Sequence, residues 1–130
     1  MASTHFPTLG QFVNVEPVSQ DAYIDITTLA KNSGFHFSYT GMSQTAYYQA
    51  IDVPNCLAQS SPEGLTQRLL KLVWRAARKH PMQSQVTFTV CKPPTKDSVY
   101  VNQPLSLLAS IEHNKQQEPI LIITTTEEAR

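Results

Sequence analysis

Few residues in this chain are arranged for catalysis, but one group is arranged for contact. Arg68, Lys71, Arg75, Arg78 and Lys79 recur at helical spacing, with Trp74 among them. At about 100° per residue they fall on one stripe roughly 100° wide. Leu65, Leu69, Leu72, Val73 and Ala76 fall on another stripe, widened by Leu70 and Ala77, and Trp74 sits at the border between the two. Only Glu63 opposes the cations, and it stands at the helix start. An amphipathic helix with a solvated face accounts for such a pattern by itself. As a contact surface, the row suits phosphates or an acidic protein groove. Arg and Trp are also the residue types most often found as binding hot spots. Tyr48 is a second candidate contact. It belongs to a cluster with Phe35, Phe37, Tyr39 and Tyr47, and Tyr47 already points at the apolar stripe of its helix.

Groups that do covalent or metal chemistry are scattered. Gly10, Gly34, Gly41 and Gly64 form neither phosphate-cradling glycine pattern. Gly41-Met42-Ser43 begins like a nucleophile elbow, but Thr45 stands where the motif needs glycine. Ser43 is better placed as a helix cap. His5, His36, His80 and His113 lack metal-ligand spacing. His36 alternates with two phenylalanines and so faces away from them, and His80 follows a helix whose dipole favours a cation there. Cys56 and Cys91 fit no C-x-x-C pattern, and are expected as buried free thiols in a reducing cytosol. Asp25 could pair with Asp52 as acid and base, but it already serves as a cap. The expectation is no catalytic residue, no metal, no cofactor and no enzymatic activity.

The elements that would hold the basic row follow from local signals. Residues 1–11 read as a mobile arm, and the apolar 12–15 segment is cut short by Pro17. A strand at 23–26 leads into a short helix between Asp25 and a closing Gly34. Residues 35–39 alternate aromatic and polar, which suggests a half-buried extended segment that Gly41 breaks. Ser43 caps a second short helix to about residue 52, and Pro54 ends it. A loop at 55–61 then gives Ser61-Pro62-Glu63, a cap, a proline and an acid in helix-starting order. This longer amphipathic helix runs over 61–79. Strands are expected at 85–91, 105–112 and 120–125, with a proline-rich tip at 92–98 and a possible strand extension at 99–101. The last two strands form a hairpin across the polar connection 113–118. Helices first and strands after imply an α+β fold: two short N-terminal helices and one longer helix, packed on a small antiparallel sheet ending in a C-terminal hairpin. One domain is expected over 12–126, with a frayed tail at 127–130. The edge at 120–125 would permit a homodimer by strand pairing.

Composition narrows the partners. The 130 residues fit one domain, on a prior of roughly 100–200 residues. Charged residues are 15% of the chain against a typical ~25%, and the net charge is zero. Weak colloidal repulsion follows, so association is favoured. A uniformly basic nucleic-acid binder and a uniformly acidic DNA mimic are both disfavoured. Neutrality nevertheless hides three blocks. Residues 62–96 hold seven bases and one acid, while the segments on either side are each net acidic. No apolar run approaches the ~18 residues a membrane span needs, and the start lacks a signal-peptide pattern, so a cytoplasmic location is expected.

The stretch YIDITTLAKNSGFHFSYTGMSQTAYYQAI, residues 23–51, resembles the opening of a family of short proteins carried by phages, plasmids and conjugative elements. The family has no assigned function. Its members share an apolar-Asp-apolar start, a short A-[KR]-x-x-G-F helix and turn, an aromatic strand and a short helix. A longer helix with tryptophan follows, here Leu65 to Ala77 with Trp74, and then a closing hairpin. Two features depart from the family: Tyr47 and Tyr48 replace its usual tryptophan, and the central helix is more basic. The resemblance implies a mobile-element origin and a compact α+β fold, and it implies no chemistry.

Three functions are therefore weighed. The first is a non-enzymatic binding protein that docks on a host protein or ribonucleoprotein, most concretely an inhibitor of a host defence system of the anti-CRISPR type. That step is analogy. The second is a nucleic-acid-binding accessory protein using the basic helix on phosphate backbones. The third is a small enzyme or nucleotide binder, which requires a pocket with convergent polar groups, such as Cys91 or a histidine.

Overall fold

Three local signals start the three helices. Ser61 accepts a hydrogen bond from Gly64 N at 3.1 Å and Pro62 takes the first helical position, opening α3 (Pro62–Lys79). Ser43 accepts from Ala46 N at 3.1 Å and opens α2 (Gln44–Ala50). α1 (Thr27–Asn32) has Ile26 at its N-cap position, not the expected Asp25, because the chain turns helical one residue later; the Asp25 carboxylate still accepts from Thr27 N at 2.9 Å. Beyond α1, Gly34 takes φ of 101°, a left-handed turn that an L side chain rarely adopts. The structure, a computed structural model, describes residues 19–53, 61–95 and 103–128. The expected arm at 1–11, the apolar 12–15 segment, most of the 55–61 loop with Cys56, and the 99–101 segment lie outside the described residues.

Among the described residues five strands make one sheet: β1 (Ile24–Asp25), β2 (Thr40–Met42), β3 (Gln85–Cys91), β4 (Pro104–His113) and β5 (Pro119–Thr125). Their spatial order is β1-β2-β5-β4-β3. The fold is α+β as expected, but the sheet is mixed, because β2 runs parallel to β5 while every other pair is antiparallel. The N-terminal half therefore supplies two strands as well as two helices. Gly41, expected to break the aromatic segment, instead forms the middle of β2. A Cβ there would lie 2.7 Å from Tyr39 Cε2 and 2.8 Å from Tyr23 Cβ. Glycine lets those two side chains close over the strand.

The C-terminal hairpin is present as β4 and β5, joined through Asn114. Its Oδ1 accepts from Gln116 N at 3.0 Å and from Glu118 N at 2.9 Å, while Gln117 takes a positive φ of 64°. This is the side-chain-closed turn that asparagine favours. The polar connection begins one residue later than expected, because His113 belongs to β4 and is buried.

β5 is not an edge, which corrects the edge proposed at 120–125. It lies between β2 and β4, and its Ile-Leu-Ile-Ile run is buried on both faces, as interior strands require. Leu121 and Ile123 join the main core with Met42, Leu107, Ile111 and Val86, beneath Leu69, Leu70 and Val73 of α3. Ile120 and Ile122 face the other way and pack with Tyr39 and Tyr23. Among the described residues the sheet's edges are β1, two residues long, and β3, seven residues long. β3 pairs with β4 without a bulge from Gln85↔Ser110 to Cys91↔Pro104. Val86, Phe88 and Val90 face the helices, while Gln85, Thr87, Thr89 and Cys91 are exposed on the other side. Cys91 is thus an exposed thiol, not a buried one, because it shares the strand phase of the two threonines. No helix among the described residues is long and apolar enough to cross a membrane.

Candidate interaction surface

α3 packs on β3 and α1 through Thr66, Leu69, Leu70, Val73 and Ala77. Thr66 donates its hydroxyl to Pro62 O at 2.8 Å, so its polar atom is satisfied within the helix. At about 100° per residue the mean direction of these five lies roughly opposite that of Arg68, Lys71, Arg75, Arg78 and Lys79. The cations therefore point away from the sheet, and all five are exposed. Among the described residues none of them has a carboxylate partner. Arg68–Lys71, Lys71–Arg75, Arg75–Arg78 and Arg75–Lys79 are like-charge neighbours three or four residues apart. Each such pair destabilises an isolated helix by roughly 0.2–0.5 kcal/mol, so the row opposes folding by about 1–2 kcal/mol before the helix dipole offsets part of it.

Trp74 is half-buried at the flank of this row. Its ring meets Phe35 edge-on, with centroids 5.3 Å apart and planes at 83°, and lies against Gly34. Part of its surface is thus committed to locking the turn after α1 onto α3. Tyr48 sits on α2 and is 49% exposed, against Tyr47 at 5.6 Å and 87°. Burial pushes the Tyr47 hydroxyl above its usual range, helped by Asp52 and Glu63 nearby. Among the described residues no hydrogen bond or ring contact joins Tyr48 to the basic row.

One feature of this surface has no sequence motif. A groove of about 260 Å³ opens beside Arg68, between the end of α2, the first turns of α3 and the end of β3. Ala50, Ile51, Leu65 and Leu72 give it apolar walls, and Arg68 and Lys92 stand at it as cations. The one available signal was charge: Lys92 belongs to the same basic block as α3, although a strand and a turn separate them in sequence. Cys91 borders the groove at the end of β3, and among the described residues no histidine or carboxylate lines it. Its volume is below the ~300–1,000 Å³ usual for small-molecule sites.

Elsewhere, Ser43 caps α2 and also donates its hydroxyl to Glu128 Oε1 at 2.6 Å. Thr125 N and Oγ1 donate to the same oxygen at 2.9 and 3.0 Å. Burial pushes the Glu128 carboxyl up, but these hydrogen bonds outweigh it and hold it below the usual carboxylate range. In the tail expected to fray, Glu128 is tied back to α2, and residues 129–130 lie outside the described residues. Among the described residues no group of three His, Cys, Asp or Glu could hold a metal ion. No family model matches this sequence, and no curated protein or solved structure matches it either.

Proposed function

We propose that this chain is a non-enzymatic docking protein that engages an anionic surface of a host protein or ribonucleoprotein through the outer face of α3. The observation that carries this reading is the row of five exposed cations, none of which has a carboxylate partner among the described residues. A row that opposes helix stability and contributes nothing to the core is accounted for by a partner of opposite sign. From Arg68 to Lys79 it spans about 17 Å at 1.5 Å per residue, long enough to meet several phosphates or carboxylates at once. The apolar groove at its Arg68 end adds a place for a side chain of the same partner. The most concrete form of this function is an inhibitor of a host defence system, of the kind that blocks CRISPR effectors. Its support is the resemblance to mobile-element proteins, together with a mode of action that needs surface and no chemistry.

Capture of partners from a host lysate, read by mass spectrometry, tests it. The double variant Arg68→Glu/Arg75→Glu is expected to lose the captured partner while its thermal midpoint stays within a few degrees. Capture that survives the reversal removes α3 from the interface. Direct nucleic-acid binding is the second reading, favoured by the same linear row. It requires a gel shift at low salt and an affinity that falls with a log–log slope of about −0.9 per phosphate contacted.

A further inference from the structure

We propose that β3 pairs with β3 of a second copy of this chain, antiparallel about Phe88, to make one continuous ten-stranded sheet. The backbone orientation comes first. Ile111 N donates to Ser84 O at 2.9 Å and Lys92 N donates to Gln103 O at 2.8 Å, at the two ends of the β3–β4 ladder. Hydrogen-bonded and non-bonded pairs alternate along an antiparallel ladder. Val86, Phe88 and Val90 therefore direct their backbone groups at β4. Gln85, Thr87, Thr89 and Cys91 direct theirs outward, where no described residue meets them.

Natural proteins blunt such edges with charge, proline, a bulge or brevity. The opposite edge follows that rule, since β1 has two residues. β3 has seven residues, none charged, none proline, and an unbroken register with β4. It is also complementary to itself. A two-fold axis at Phe88 sets Phe88 opposite Phe88, Val86 opposite Val90, Thr87 opposite Thr89 and Gln85 opposite Cys91. All four outward-pointing residues then fall in hydrogen-bonded pairs, giving about eight new backbone bonds. Threonine meets threonine on the solvent face, a favourable cross-strand pair. No like charges oppose each other at the seam, and the α3 cations point away from the sheet. The net charge of zero leaves little long-range repulsion between copies. The second copy is thus the occupant whose shape, polarity and register this edge already specifies.

Light scattering after size exclusion, on the full chain over a concentration series, is expected to give twice the monomer mass. Thr87→Lys/Thr89→Lys alters only exposed positions and is expected to return the chain to monomer, folded by circular dichroism, with an unfolding midpoint that no longer rises with protein concentration as the parent's does. A second measurement tests the register. In a Cys56→Ser background, Gln85→Cys is expected to form a disulfide-linked dimer with native Cys91 of the other copy, since hydrogen-bonded antiparallel pairs hold Cα atoms about 5.5 Å apart. Within one strand the same two positions lie about 20 Å apart at ~3.3 Å per residue and cannot bridge. Monomer mass at every concentration overturns the proposal. So does a dimer that survives the lysine pair, or a Gln85→Cys variant that crosslinks no faster than its parent. None of these results depends on the basic face of α3, so the two readings fail separately.

Discussion

Replacing Gly41 by alanine tests whether the buried centre of β2 is as close-packed as its geometry requires. The new methyl would lie 2.7 Å from Tyr39 Cε2 and 2.8 Å from Tyr23 Cβ. Carbon atoms in good contact sit about 3.5–4.0 Å apart, so each contact is short by roughly 1 Å. Neither neighbour yields freely. The Tyr39 hydroxyl donates to Gln20 O at 3.1 Å, and Tyr23 Cβ moves only with its backbone. Overpacking of this kind costs about 1–3 kcal/mol, and the loss of unfolded-state freedom returns about 0.4–1 kcal/mol, leaving a net destabilisation of roughly 1–2 kcal/mol. Urea titrations followed by circular dichroism measure it, with the slope unchanged between variants. In a Tyr39→Ala background one of the two clashes is gone, and Gly41→Ala should cost about 1 kcal/mol less, a coupling typical of residues in contact. Gly34→Ala is the comparator. Its Cβ has room, 3.6 Å from Trp74, but its φ of 101° is strained for alanine. It should cost about 1–2 kcal/mol regardless of Tyr39. A Gly41→Ala variant within about 0.5 kcal/mol of the parent, or one indifferent to Tyr39, refutes the packing argument.

Two further outcomes follow from the caps and from Glu128. Ser61→Ala should cost about 1 kcal/mol, the usual loss for an N-cap, and Ser43→Ala should cost more because it also strips a donor from Glu128; equal losses in urea titrations would separate Glu128 from α2. The Glu128 carboxyl is held below its ordinary value of 4.5, so its contribution is present above that pH and lost as pH falls through the lower, folded value. The gap in thermal midpoint between the parent and Glu128→Gln should therefore be largest near neutrality and shrink on acidification, and a gap that stays constant from pH 7 to pH 3 counts against it.

The parts of the fold written in short-range chemistry were legible in the sequence. Ser61-Pro62 opens α3 and Pro81 follows its end, because caps and proline act within a few residues. β3 matched its expected bounds because alternation over seven positions has one phase. β2 was missed for the opposite reason: three residues centred on glycine carry no periodicity, and the strand exists because β5 lies beside it. The interior position of β5 was open to inspection in its unbroken apolar run, although an edge was expected there. The basic row was visible as a helical repeat, and the absence of a carboxylate partner for it among the described residues became visible only in three dimensions. The groove beside Arg68 could not be read at all, since its walls come from α2, α3 and β3.

The parallel pairing of β2 with β5 also sets an order for assembly during synthesis. β1, β2 and both short helices leave the ribosome long before the strand that joins them to the rest of the sheet. Until residues 119–125 emerge, β2 lacks its parallel neighbour and β4 lacks one of its two. The half-built sheet then exposes Met42, Leu107 and Ile111, which the finished core buries. Long-range strand pairing of this kind slows folding and lengthens the exposure of apolar surface. The nascent chain therefore passes through a window in which this apolar surface is uncovered, and that window closes only when its central strand arrives.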